Sequence, residues 1–212
     1  MNIIFNTENL EFNNMIKYPD LKIKEGITTF IKGPSGSGKT TLLKLFNAMK
    51  DTSNGEIFYK GVSIKDIDTI ELRKKALLVG QEVFLFQESI KNNFDQFYEY
   101  LDREFTSESR MQEFLKLTMG NFALDKECIN LSGGERARVY LAIFMSLEPE
   151  VIMLDEPTAA LDKATAGNVL NNVKKYCEAN KKTLIVVSHD ETIINKYADE
   201  IIDLKEGVTY EQ

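Results

Sequence analysis

GPSGSGKT, from Gly33 to Thr40, has the G-x-x-x-x-G-K-T spacing of a phosphate-binding loop. In such a loop Gly33, Pro34, Ser35, Gly36, Ser37 and Gly38 supply a backbone that can fold tightly around phosphate oxygens, and Lys39 reaches the outermost of them. The flanks agree with that use. Ile27 to Ile31 reads as a short apolar strand entering the loop, and TLLKLFNAM, Thr41 to Met49, has the apolar spacing of a helix leaving it. Strand, loop and helix in that order predict an α/β fold in which the helix N-terminus faces the phosphates.

A second stretch, VIMLDEP from Val151 to Pro157, is an apolar strand pattern that ends on two adjacent carboxylates and a proline unable to extend a ladder. Acid at the end of a parallel strand lies where such sheets bind ligands, so Asp155 and Glu156 are expected beside the loop if the two strands are neighbours. Asp155 is then placed to hold Mg²⁺ and Glu156 to face an attacking water. A solvated acidic turn is the blander alternative for this segment alone. A third stretch, LSGGE from Leu131 to Glu135, places Ser132 as a helix N-cap and Glu135 as its capping-box partner, with Gly133 and Gly134 permitting the turn.

Together the three segments resemble the nucleotide-binding domains of the ATP-binding cassette (ABC) superfamily, with a likeness running from about Ile3 to Val208. LSGG ahead of a helix, about twenty residues before the acidic strand, is the discriminating element. The resemblance implies a P-loop NTPase (RecA-like) core with a mainly parallel sheet, an N-terminal antiparallel β layer and a helical subdomain at about residues 84–148. All of it falls within one ATP-binding domain over 1–212. It implies ATP and Mg²⁺ as ligands, with Lys39, Thr40 and Thr41 at the phosphates, Thr40, Gln81 and Asp155 at the metal, and Glu156 as general base. Gln81, in LLVGQEVF, matches the family's Q-loop glutamine. His189, in TLIVVSHD, is the one histidine of the chain and matches its switch histidine. Asp162, in TAALDK, matches the aspartate that crosses the dimer interface. Ser132, Gly133 and Gly134 would close the site of a second copy. For the adenine ring the candidates are Phe12 and Tyr18, of which Phe12 fits better. Glu135 stands where glutamine is commoner, and Ile143 where many members carry arginine.

Composition agrees. A chain of 212 residues can bury one substantial core with a small appended subdomain. A net charge of -7 opposes broad nucleic-acid binding, which rewards basic surfaces. Cys128 and Cys177 lack metal-ligand spacing and read as free thiols. No segment reads as a signal peptide or a membrane span, so the expectation is a cytoplasmic chain held at the membrane by a separate integral-membrane subunit. Two functional classes fit: the ATPase subunit that energises a transporter as a head-to-tail pair, and an ATP-gated regulatory or mechanical switch that moves no solute.

Overall fold

Alternating polarity in IIFNTENLEF makes Ile3–Phe12 a strand, β1, which buries Ile4, Phe5 and Leu10 and turns Glu8 and Asn9 to solvent. The computed structural model describes residues 2–204 and the backbone of 209–210, so the last part of the family-like stretch, at Val208, lies outside the described residues. After β1 come β2 (Ile16–Lys17), β3 (Lys22–Lys24), β4 (Thr28–Lys32), α1 (Lys39–Phe46), β5 (Asn54–Tyr59) and β6 (Val62–Ser63). Next are α2 (Thr69–Lys75), β7 (Ala76–Val79), α3 (Ile90–Tyr100), α4 (Glu108–Leu117) and α5 (Gly133–Ser146). The chain ends with β8 (Val151–Asp155), α6 (Lys163–Ala179), β9 (Thr183–Val187), α7 (Glu191–Tyr197), β10 (Glu200–Asp203) and β11 (Thr209–Tyr210).

Two sheets result. One has the order β11-β2-β1-β5-β6, with β3 also on β1, and every pair in it is antiparallel. The other has the order β10-β4-β9-β8-β7, and its β10/β4, β4/β9 and β9/β8 pairs are parallel. The strand entering the glycine loop, β4, and the acidic strand, β8, are therefore not adjacent, so the condition set for the acidic pair is met only across one intervening strand. β9, a five-residue run buried along its whole length, lies between them. Such a run satisfies a central parallel strand, which is covered on both faces.

One core joins the two sheets. Phe5, Ile57 and Tyr59 of the first sheet, Leu42, Leu43, Leu45 and Phe46 of α1, and Ile31, Met153, Ile185 and Val187 of the second share a single buried cluster. Phe5 stacks on Phe46 at 4.7 Å between ring centroids. Burial of side chains this size stabilises by roughly 1.5–3 kcal/mol each. α1 is thus held rigidly behind the loop that precedes it.

By contact the chain divides into two compact units. The first comprises the described residues of Met1–Leu78, Pro149–Glu156 and Tyr176–Gln212, and holds both sheets. The second comprises Val79–Glu148 and Pro157–Lys175. The segment at about residues 84–148, expected as a helical subdomain, is not helical throughout. Ser89 and Ser107 cap α3 and α4, and the Cys128 N–H, at the start of a single 3-10 turn (Cys128–Asn130), donates to the Glu88 carbonyl at 2.9 Å. Phe97 then meets Phe86, Tyr140 and Phe144 edge to face within this unit, and Tyr140 and Phe144 pack tilted against each other.

Candidate active site

β4 runs straight into the glycine loop. Gly36 (φ 81°) and Gly38 (φ 85°) adopt left-handed backbone that a residue with a Cβ would strain to reach. Gly38 is the N-cap of α1, so the helix begins at Lys39 rather than at Thr41, and it ends at Phe46, three residues short of Met49. The first amides of α1 have no partner four residues earlier and face the loop as donors.

Lys39 is almost buried. Its Nζ donates to the carbonyls of Gly33 (3.0 Å) and Pro34 (2.8 Å), which curls the loop around an ammonium group. Ser37 is also buried, and its Oγ has no hydrogen-bond partner among the described residues. An ammonium beside helix-end amides suits an anion with several oxygens. Thr40 and Thr41, half-buried, follow on the first turn of α1.

The acidic pair enters from β8. Asp155 pairs with Val187 of β9, and Val187 pairs with Ile31 of β4, so the three strands end in one row. At about 4.8 Å per strand, that row puts the Asp155 and Ile31 backbones roughly 10 Å apart, with Gly33 two residues past Ile31. Parallel sheets bind ligands at this end. Asp155 is 2% exposed. Glu156 leaves the row in a left-handed conformation (φ 52°), its N–H donating to the Val187 carbonyl at 3.1 Å. A non-glycine residue held there stores backbone strain, which often marks a working side chain.

His189, two residues past the end of β9, lies with Nδ1 2.7 Å from Oε2 of Glu156. The imidazole is largely exposed and the carboxylate largely covered, 74% against 18%. Its outer edge is therefore open to a ligand while its inner edge orients Glu156. Asp190 follows at once and caps α7, accepting from the Thr192 and Ile193 amides. That cap fixes the chain just beyond the histidine.

The structure thus brings Gly33 to Thr41, Asp155, Glu156 and His189 together in the first unit. Gln81, exposed and two residues past β7, belongs to the second unit, as do Ser132, Gly133, Gly134 and Asp162. Ser132 caps α5 with a reciprocal box: Glu135 N–H donates to its Oγ (3.3 Å), and its own N–H donates to Glu135 Oε2 (2.8 Å). Bonding from the Ser132 backbone, ahead of the Ser132 hydroxyl and Lys126, holds the Glu135 carboxyl below the usual range despite a smaller desolvation effect. Asp162 accepts from the Ala164 and Thr165 amides at the start of α6, and hydrogen bonds from Thr165 above all keep its carboxyl low as well. A Cβ on Gly134 would lie 3.0 Å from the Ala160 carbonyl, a tight contact that would press the segment before Asp162 away from the start of α5 by a few tenths of an ångström.

The two adenine candidates separate. Phe12 ends β1 half-buried, with the Lys50 ammonium 4.5 Å from its ring centroid. Tyr18 is 5% exposed and buried in the core, its hydroxyl donating to the Gly38 carbonyl at 3.0 Å. Sequence reasoning did not foresee that bond, because nothing in local spacing says which loop a core tyrosine meets.

Comparison with known proteins gives the same answer as the geometry. A family model described as ABC transporter matches residues 16–159. The glycine betaine/carnitine/choline transport ATP-binding protein OpuCA of Bacillus subtilis (strain 168) is 37% identical over 191 residues, covering 89% of this chain and 50% of that protein. The L-cystine import ATP-binding protein TcyC of the same organism is 34% identical over 210 residues, covering 94% of this chain and 84% of that protein. MJ0796, a bacterial ABC transporter cassette solved as a dimer, superposes with a TM-score of 0.81 at 29% identity, covering 94% of this chain and 93% of that one. The chain spans about half the length of OpuCA and most of TcyC. It belongs to the ABC transporter family, as an ATP-binding cassette domain.

Proposed function

We propose that the chain binds and hydrolyses ATP and that hydrolysis energises the movement of a solute by a membrane complex. The observation that carries this reading is the Glu156–His189 pair at the strand ends beside a lysine-filled glycine loop. Glu156 is aimed to take a proton from water, and His189 holds its carboxylate in place while offering Nε2 to the terminal phosphate. Lys39 leaves the loop carbonyls for the outer phosphate oxygens, and the amides opening α1 donate to the inner ones. Most of the rate gain then comes from positioning and charge cancellation rather than covalent chemistry.

Mg²⁺ fits the residues present. A buried carboxylate on Asp155 and the Thr40 hydroxyl are hard oxygen donors of the kind this ion takes, and Gln81 completes the proposed set. When bound, the ion would supply positive charge that neutralises the developing charge on the phosphate oxygens. Phe12 is the residue proposed to stack on adenine.

The partners follow from chemistry. Among the described residues no helix is long and apolar enough to cross a membrane. An integral-membrane partner is proposed to carry the solute path. The chain would bind it from the cytoplasmic side. The exposed ring of Phe84, ahead of the aromatic cluster in the proposed helical subdomain at 84–148, is where that subunit would dock. A second copy would supply Ser132, Gly133, Gly134 and Asp162 to each ATP.

The test uses purified chain and radiolabelled ATP. Lys39→Ala is expected to weaken Mg-ATP binding by about tenfold or more, since bonds to charged groups contribute ~1.5–3 kcal/mol. Glu156→Gln should bind as tightly as the unsubstituted chain and release phosphate at least ~100-fold more slowly. Hydrolysis by Glu156→Gln at the unsubstituted rate would overturn the assignment. Copurification of that variant with only soluble partners, in detergent with Mg-ATP, would favour a switch over a transporter.

A further inference from the structure

Tyr18 sits one residue beyond β2, and its backbone N–H donates to the Leu10 carbonyl at 2.9 Å. Its ring belongs to the core, and the one polar atom of the side chain reaches Gly38, the last loop residue before Lys39. A Cβ built on Gly38 would lie 2.5 Å from the Tyr18 hydroxyl and 3.3 Å from Cδ1 of Ile16. Ile16 and Tyr18 are thus the floor on which the end of the glycine loop rests. The same short strand is paired with β1 at Phe12↔Ile16, so one rigid segment touches both the proposed base end and the phosphate end of the site.

The bond also has an electronic consequence. Gly38 O already accepts the Leu42 N–H of α1 at 2.8 Å, and Tyr18 adds a second donor. Two donors on one carbonyl polarise the Gly38–Lys39 peptide, and hydrogen bonds in series strengthen one another. The polarised N–H is that of Lys39, among the first amides of α1 and without a partner within the helix. A stronger, fixed donor then faces the polyphosphate at no cost in reorganisation.

We infer that Tyr18 is a positioning residue for the polyphosphate: through the Gly38 carbonyl its hydroxyl sets the seat of the loop, and its ring does not stack on the base. The inference rests on the reading of this loop as the ATP site. It places a specificity for the phosphate chain in the floor of the loop, which offers no atom to the nucleotide itself.

Tyr18→Phe keeps the ring and removes the bond. A net hydrogen bond of ~0.5–1.5 kcal/mol corresponds to a change of about three- to tenfold. KM for Mg-ATP should rise by that factor with kcat altered less than about twofold, and tripolyphosphate should lose the same factor as a competitor. The control is Tyr98→Phe, which removes another buried hydroxyl, bonded to the Ser146 carbonyl at 2.8 Å in the second unit. It should lower the melting temperature and leave KM unchanged. An unaltered KM in Tyr18→Phe would overturn the inference, as would an equal rise in Tyr98→Phe. Weaker ATP binding with undiminished competition by tripolyphosphate would overturn it too, by placing Tyr18 at the base. If the unsubstituted chain bound no Mg-ATP, the nucleotide reading itself would fall, a result distinct from any of these.

Discussion

Glu156 combines three features that seldom coincide by chance: a left-handed backbone, a largely covered carboxylate and a histidine nitrogen at 2.7 Å. The strain is tolerated because its N–H is tied to Val187 and because Asp155, one residue earlier, is locked in the strand row. Loss of the imidazole frees the carboxylate to rotate and removes the donor proposed for the transferred phosphate. His189→Ala is therefore expected to cut kcat by about 100-fold while leaving the affinity for Mg-ADP within about twofold, read by phosphate release and calorimetry. Equal losses in both would make the histidine a binding group. At this scale the placement of the loop and the acids was legible, because GPSGSGKT and LDEP carry their backbone and acid groups at local spacing. Tyr18 was not legible as a loop support: its bond to Gly38 spans twenty residues and depends on how β2 packs beneath α1.

Elements were legible where their signals were local and misread where tertiary pairing prevailed. The apolar runs of β8 and β9 and the capping box of α5 were plain in one dimension, whereas strand order was not. Placing β9 between β4 and β8 depends on crossover connections that no local pattern records. Likewise, within the segment expected as a helical subdomain, Ser89 and Glu127 form an isolated antiparallel bridge, a pairing no local pattern records. The cap on α5 permits a quantitative expectation. Ser132→Ala removes an acceptor from Glu135 N–H and should lower stability by ~1 kcal/mol in urea unfolding. Glu135 adds a pH dependence of definite sign. Its folded carboxyl titrates below its unfolded value, so its ionised form stabilises the helix above the unfolded value and loses that effect as pH falls through the lowered one. Glu135→Gln should therefore be less stable than the unsubstituted chain at neutral pH, with the gap closing below about pH 4. A gap that persisted in acid would assign it to side-chain shape rather than charge.

The whole molecule divides its proposed chemistry between two units, with the phosphate loop, acids and histidine in one and the capped serine of LSGG in the other. Ser132 and Gly133 are exposed at the start of α5, where helix-end amides favour an anion and the capping box already satisfies Glu135. If a second copy supplies this helix end to the terminal phosphate, ATP is the link between chains and association must depend on it. Two chains each carrying a net charge of -7 repel, so without nucleotide the pair should be weak. With Mg-ATP and Glu156→Gln, hydrolysis no longer removes the link and the pair accumulates. Sedimentation velocity should then show a doubled mass for Glu156→Gln with Mg-ATP, a single-chain mass with Mg-ADP, and stronger association at moderate salt as the charges are screened. Adding Ser132→Arg puts a bulky side chain where the phosphate would meet α5 and should restore the single-chain mass while the loop still binds ATP. If Ser132→Arg also abolished ATP binding by the single chain, Ser132 would be serving its own site and the trans arrangement would be wrong.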